Sequence, residues 1–282
     1  MDNIGLTGII PANHFKAIKK QRGSSFLRAE ELVNNADDFE IWKHGKEYNN
    51  LIFQKTYWKE MIELFKGPKI LDLCDPDWIK ERVNIIEIGN LVQAITCSSE
   101  KLRDQIQHYF PNKLIVYIPD RFNFKLFPSP RGLHNDKAKK VVWFGYIDNA
   151  YETLGSLLAT IQKHDLTLKI ISNRAYINDI VKQIKIEFVE YKQETAYWEI
   201  KDADIVLNPK SEKAFYKYKS NNKSIIGWKL GLPVAENSKE LEKFINPEIR
   251  NNEVFLKQKY IDIEYDILKS IEQYREIIKL IR

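Results

Sequence analysis

The chain has 282 residues, of which 44% are hydrophobic and 29% charged, so it can build packed cores and wholesale disorder is excluded. Lysine and arginine number 44 against 39 aspartates and glutamates, a formal net charge of +5. That excess fits an anionic small ligand or an anionic membrane surface and is too small to argue for nucleic acid, so no nucleic-acid partner is expected.

In chain order, apolar runs predict strands over residues 4–10, 39–42, 51–54, 69–73, 93–97 and 114–118, then over 141–144, 168–171, 186–189, 204–207 and 233–235. Several are nearly all apolar, the mark of strands buried on both faces of a parallel sheet. Helical spacing separates them. Leu102, Ile106 and Tyr109 share a face behind the capping residues Ser98 and Ser99, as do Leu154, Leu157, Leu158 and Ile161. Ile267, Ile271, Tyr274, Ile278 and Ile281 follow 4-3-4-3 spacing and predict a C-terminal helix with one apolar stripe. Residues 119–140 carry three prolines and a glycine without periodicity and read as a linker.

Strand–helix alternation on both sides of that linker predicts an α/β protein with two Rossmann-like domains facing a cleft. The expected boundaries are 1–122, 138–265 and a final helix over 266–282 that crosses back to the first domain. No run approaches the ~20 apolar residues of a membrane span. Asn3, Thr7 and Pro11 interrupt the N-terminal apolar run, which does not read as a signal peptide. Cys74 and Cys97 make no disulfide framework and no zinc spacing, so a reducing, cytoplasmic compartment is expected.

The richest stretch is 202–236. A strand ends in a polar loop, then Lys219-Ser220-Asn221-Asn222-Lys223 leads into an apolar helix over 224–230, which Gly231 ends. Free N–H groups at a helix start, beside two lysines and capping-type side chains, suit a phosphate; a solvated loop with a capped helix is the plain alternative.

The order of these segments, with VVWFGY at 141–146 and AITCSSEKLRDQIQHYFPNKLIVYIP at 94–119, resembles the GT-B fold glycosyltransferases, especially the bacterial group-1 type. The resemblance spans most of residues 50–240. It implies an acceptor-side N-terminal domain and a nucleotide-sugar-binding C-terminal domain. Gly145 would stand where the backbone approaches the donor. Lys219, Ser220, Asn221, Asn222 and Lys223 would face its phosphates, with Asn173 and the loop 191–198 near the base. Many retaining members carry two glutamates seven residues apart before the last strand. Here lysines fill that region, and Gly227 or Trp228 stands where the second glutamate would be.

In the N-terminal half, Ser24, Ser25 and Arg28 resemble the SSxxR opening of the first helix in some of these transferases, and mark a substrate contact. An arginine in a first helical turn opposes the dipole, which hints at a paired anion; an ordinary surface arginine is the alternative. Asp72, Asp75 and Asp77 follow the C-terminal end of a predicted strand, where open α/β sheets bind ligands. Any of them would serve as the base for an acceptor hydroxyl, or would simply cap the next helix. His14 matches the histidine base of some inverting relatives, or is structural. No cofactor and no metal is expected.

The reaction implied is attack of an acceptor hydroxyl on the anomeric carbon of a nucleotide sugar, with the nucleoside diphosphate leaving. The partners are that donor and a saccharide, lipid-linked or other hydroxyl acceptor, with peripheral membrane contact left open. A sugar-nucleotide epimerase or hydrolase, and a non-catalytic nucleotide-sugar binder, remain the rival readings.

Overall fold

Eleven β-strands form in the computed structural model, which describes residues 4–12, 25–80, 83–176, 183–211 and 213–282, and each strand coincides with one of the apolar runs. The chain divides into two compact units. The first comprises Met1–Phe124, Lys213–Asn221 and Tyr265–Arg282; the second comprises Lys125–Glu212 and Asn222–Glu264.

The first unit holds β1 (Thr7–Pro11), β2 (Phe39–Ile41), β3 (Asn50–Gln54), β4 (Lys69–Leu73), β5 (Ala94–Cys97) and β6 (Leu114–Tyr117). They form one parallel sheet in the order β2-β1-β3-β4-β5-β6. Its helices are α1 (Glu31–Asn35), preceded by a π-type turn over Phe26–Glu30, then α2 (Lys59–Leu64), α3 (Asp77–Lys80), α4 (Ile85–Asn90) and α5 (Glu100–Tyr109). The second unit holds β7 (Lys140–Phe144), β8 (Thr167–Ser172), β9 (Ile186–Glu190), β10 (Ile205–Leu207) and β11 (Val234–Ala235). These form a second parallel sheet in the order β11-β10-β7-β8-β9. Around it run α6 (Ile147–Thr153), α7 (Gly155–Lys163) and α8 (Ala196–Lys201). The short α9 (Ala214–Lys217) returns to the first unit, and α10 (Asn222–Lys229), α11 (Ser238–Lys243) and α12 (Pro247–Glu264) complete the second. The last helix, α13 (Ile267–Ile281), lies in the first unit.

The period-two rule of strands sorts the first unit's side chains onto two faces. Leu51, Phe53, Leu71 and Leu73 pack in one cluster with Ile62, Ile88, Leu102 and Ile106 from the helices. Ile52 and Ile70 point the other way, into a cluster with Ala29, Leu32, Ile267, Ile271 and Tyr274. A parallel bridge of Phe122 with Asp266 fixes the entry of α13: Phe122 N donates to Tyr265 O, and Ile267 N to Phe122 O. The Asp266 side chain caps the helix by accepting from Leu268 N.

Three local differences from the sequence reading have physical causes. α5 is capped by Ser99, whose hydroxyl accepts from Leu102 N, but Tyr109 is the helix's last residue and is exposed, not buried beside Leu102 and Ile106. α10 begins at Asn222, so Asn222 and Lys223 lie in its first turn. The helix α12 was not anticipated. Its inward residues Arg250, Val254 and Ile261 are buried, but Phe255, Leu256, Tyr260 and Ile263 face outward, so no single apolar stripe marks it. Among the described residues no helix is long and apolar enough to cross a membrane.

The packing of α13 is testable. Ile271 is 2% exposed and Leu268 is 56% exposed on the same helix. Ile271→Ala should cost about 2–5 kcal/mol in urea unfolding, and Leu268→Ala about 0.5 kcal/mol or less. Equal costs would mean that α13 is not packed through this stripe.

Candidate functional site

In open parallel sheets ligands bind beyond the carboxyl ends of the strands, where the strand order reverses. The second sheet reverses at β7, which lies between β8 and β10. Gly145 follows β7 directly, with φ +137, a backbone setting that side chains avoid. Its amide donates to Ile171 O at 3.0 Å and its carbonyl accepts from Ser172 Oγ at 2.6 Å. Asn173 Oδ1 accepts from Ile147 N at 3.1 Å, at the start of α6. Asn173 therefore shapes the loop after β7 through its side-chain oxygen.

Lys223 comes to the same place from the first turn of α10. Its ammonium lies 4.0 Å from the ring centroid of Trp143 and 5.8 Å from that of Phe144. A Cβ added to Gly145 would stand 3.5 Å from Lys223 Nζ. The helix start itself is held by Asn208, beyond the end of β10, whose amide donates to Ser224 Oγ at 2.9 Å in the interior. Gly227 lets α10 sit on the sheet, since a Cβ there would come within 2.8 Å of Val234 Cγ2. The result is a helix N-terminus and a lysine above a bare backbone loop at the switch point, an arrangement able to take an anion.

Lys219, Ser220 and Asn221 of the predicted phosphate segment belong to the first unit, and Asn222 to the second. Ser220 donates to Asp120 Oδ2, Ser99 Oγ donates to Tyr218 O at 2.7 Å, and Tyr218 OH donates to Gln105 Oε1 at 3.0 Å. Lys219 Nζ lies 5.2 Å from the Phe215 ring and 5.0 Å from the Tyr216 ring. Asn221 is exposed, and Asn222 is half-buried as the first residue of α10.

The anion that Arg28 pairs with is the protein's own. Its Nη2 meets Asp72 Oδ1 at 2.6 Å and its Nε meets Asp72 Oδ2 at 2.8 Å, a bidentate pair in which the two residues are 3% and 0% exposed. Arg28 Nη1 donates to Ile118 O at 2.8 Å and to Asp120 Oδ1 at 3.1 Å. Asp72 Oδ1 also accepts from Thr96 Oγ1 at 2.6 Å and from Tyr274 OH at 2.9 Å. Burial would lower the Arg28 pKa, but Asp72, Tyr274 and Asp120 around it raise it well above its ordinary value. Asp72 thus points, like Ile70, to the face covered by α1 and α13, with both oxygens engaged.

The other two aspartates share Lys55, a non-glycine residue in the left-handed region with φ +49. Lys55 Nζ is 2.7 Å from Asp75 Oδ2 and 3.1 Å from Asp77 Oδ1, and Tyr57 OH donates to Asp77 Oδ2 at 2.8 Å. Burial raises the Asp77 carboxyl, with Lys55 and Tyr57 opposing. Asp77 is buried and Asp75 half-buried, which leaves Asp75 the most accessible of the three aspartates. Ser25 is buried and donates to Gln54 Oε1 at 3.1 Å; the same oxygen accepts from Ala12 N at 3.3 Å. His14 and Ser24 lie outside the described residues.

Sequence reasoning did not single out Asp120, Thr96, Tyr274, Gln54 or Asn208. Tyr274 was visible only as a member of an apolar stripe, and Asn208 only as the end of a strand.

Two parallel-sheet α/β units of this kind are similar to the fold of several solved glycosyltransferases. No protein-family model and no curated protein matches the sequence. Solved structures match the fold. Anabaena HepE in complex with UDP-glucose aligns with a TM-score of 0.69 at 12% identity, over 98% of this chain and 99% of that one. A glycosyltransferase from Rickettsia africae gives 0.62 at 11% identity, over 100% and 99%. The DNA-modifying enzyme β-glucosyltransferase, solved in the presence and absence of its substrate uridine diphosphoglucose, gives 0.60 at 10% identity, over 98% of each chain. TarM gives 0.61 at 12% identity over 81% of this chain, which spans only 54% of TarM. At such identities the likeness establishes the fold, and the reaction has to be argued from residues.

Two outcomes test the buried ion pair. Arg28→Ala strands Asp72 in the interior and should cost about 3–5 kcal/mol in chemical unfolding. A cost under about 1 kcal/mol, the range of exposed pairs, would contradict the burial. Asp120 gives a pH test. Burial raises its carboxyl above the ordinary value, against the pull of Arg28 and Ser220. A carboxyl raised in the folded chain adds stability that is complete below its unfolded pKa and lost as pH rises through its folded pKa. The wild type should therefore lose stability relative to Asp120→Asn over the pH window that opens at about pH 4, the value of an unfolded aspartate. A difference that stays constant across that window would refute the raised carboxyl.

Proposed function

We propose that the chain is a glycosyltransferase that moves a sugar from a nucleotide-sugar donor to an acceptor hydroxyl. The observation that carries this reading is Lys223, in the first turn of α10, over the Gly145 loop at the switch point of the second sheet. Transfer leaves a nucleoside diphosphate, and the developing charge on its bridging oxygen needs preorganised positive groups. Lys223 and the positive N-terminal end of α10 supply them, and Gly145 leaves room for the phosphates. Lys219, Ser220, Asn221 and Asn222 complete the phosphate side in this reading, and Asn173 shapes the loop near the base. UDP-glucose in the HepE complex, and as the substrate of the β-glucosyltransferase, supports a uridine diphosphate sugar as the first donor to try.

Asp75 is the acceptor-side residue we favour as base, because it is half-buried with Oδ2 on Lys55, whereas Asp72 and Asp77 are buried with both oxygens engaged by Arg28, Thr96, Tyr274, Lys55 and Tyr57. Those same engagements support the second reading, a nucleotide-sugar binder without transfer. Product analysis with and without a panel of hydroxyl acceptors separates the two, since only a transferase forms an acceptor-dependent glycoside.

Titration calorimetry tests the donor site. A charge-assisted contact is worth roughly 1.5–3 kcal/mol, so Lys223→Ala should weaken nucleoside diphosphate binding about 10- to 150-fold. Lys219→Ala measures the contribution of the neighbouring loop in the same way. The free nucleoside should bind wild type and variants alike. Unchanged diphosphate affinity in both variants would place the site elsewhere.

A further inference from the structure

We infer that Trp143 is a positioning residue for the diphosphate: its ring holds the Lys223 ammonium in place before the donor arrives. The inference rests on the donor-site reading above. Trp143 is 0% exposed in β7 and packs in the core of the second unit with Ile147, Ala150, Leu154 and Leu207. Its ring is therefore fixed, and Lys223 Nζ rests 4.0 Å from its centroid. A Cβ added to Gly145 would stand 3.3 Å from Trp143 Cη2 and 3.5 Å from Lys223 Nζ. Ring, bare backbone and ammonium thus meet at one point, beyond the end of β7.

Two physical arguments give this contact a purpose beyond packing. First, a lysine stem has many rotamers, and ordering it on binding lowers affinity; a stem already laid on a rigid ring avoids that loss. An aromatic face attracts the ammonium through its quadrupole and leaves the ammonium's charge in place. Second, the indole Nε1 of Trp143 is buried without a hydrogen-bond partner among the described residues. A buried N–H left unpaired is unfavourable, and a phenylalanine or leucine would fill a core without it. What tryptophan offers in return is the strongest cation-binding face of the aromatic side chains.

A double-mutant cycle decides the matter. Among UDP, ADP, GDP and TDP, the diphosphate that the wild type binds best is titrated, with its free nucleoside as control. The proteins are the wild type, Trp143→Phe, Trp143→Leu, Lys223→Ala and the Trp143→Leu/Lys223→Ala double variant. Trp143→Leu should weaken the diphosphate about 3- to 30-fold, Trp143→Phe less, and neither should change the nucleoside. In the Lys223→Ala background Trp143→Leu should change diphosphate affinity less than about 2-fold, because the partner is gone. The same loss in both backgrounds, or no loss in either, would overturn the inference. If Trp143→Leu does not fold, biosynthetic fluorination of tryptophan weakens the ring's negative face at almost constant size. Diphosphate affinity should then fall with each added fluorine in the wild type and stay level in Lys223→Ala; parallel behaviour would refute the inference. A wild type that binds none of the diphosphates defeats the donor-site reading and this inference with it. Loss on Lys223→Ala with none on the Trp143 variants defeats the inference alone.

Discussion

The first unit depends on one buried ion pair. Arg28 reaches Asp72, Ile118, Asp120 and Tyr274, which stand 44, 90, 92 and 246 residues away in the sequence. A guanidinium has five donors in a rigid plane, so a single side chain fixes the first helix, the middle of the sheet, the segment after β6 and α13 together. Removing two opposite charges from water is costly, and the pair holds only because nearly every valence is met: Thr96 and Tyr274 donate to Asp72, and Ser220 to Asp120. The loop over 213–221 is seated in the first unit by that last bond and by Tyr218, although its neighbours in sequence belong to the second.

The second unit answers to a different constraint, the bare backbone at the end of β7. Gly145 has a positive φ, and a Cβ there would crowd Trp143 and touch Lys223. Ser172 and Asn173 hold the loop from β8, Asn208 holds the start of α10 from β10, and Gly227 lets α10 lie close to the sheet. Each contact is small, yet all converge on the reversal point of the strand order, where a parallel sheet has an open end to offer a ligand.

Much of the fold was legible in the sequence because parallel strands buried on both faces leave continuous apolar runs. The runs at 69–73 and 141–144 correspond to β4 and β7 with at most one residue of difference. The C-terminal helix was legible for the same reason, its stripe being one-sided. α12 was not, because Phe255, Leu256, Tyr260 and Ile263 on its outer face mask the stripe that Val254 and Ile261 would otherwise mark. The candidate site was legible only where it is local. The glycine after β7 and the lysines before α10 announce themselves by position. An arginine in a first helical turn announces a paired anion, but its partner is chosen by the fold: Asp72 stands at a strand end that suits an acceptor-side carboxylate, and its side chain points to the Arg28 face. Trp143 looks like any core aromatic in the sequence, since nothing local says that a lysine eighty residues later will lie on it.

The central claim is that this protein binds a nucleoside diphosphate sugar, and thermal unfolding against a panel of such sugars tests it most directly. A ligand that binds only the folded chain, at a hundred times its dissociation constant, adds about 2.7 kcal/mol of stability. The account predicts that at least one nucleoside diphosphate sugar raises the Tm by several degrees while its free nucleoside does not. No shift with any sugar nucleotide at millimolar concentration, or an equal shift with the nucleoside alone, would contradict it.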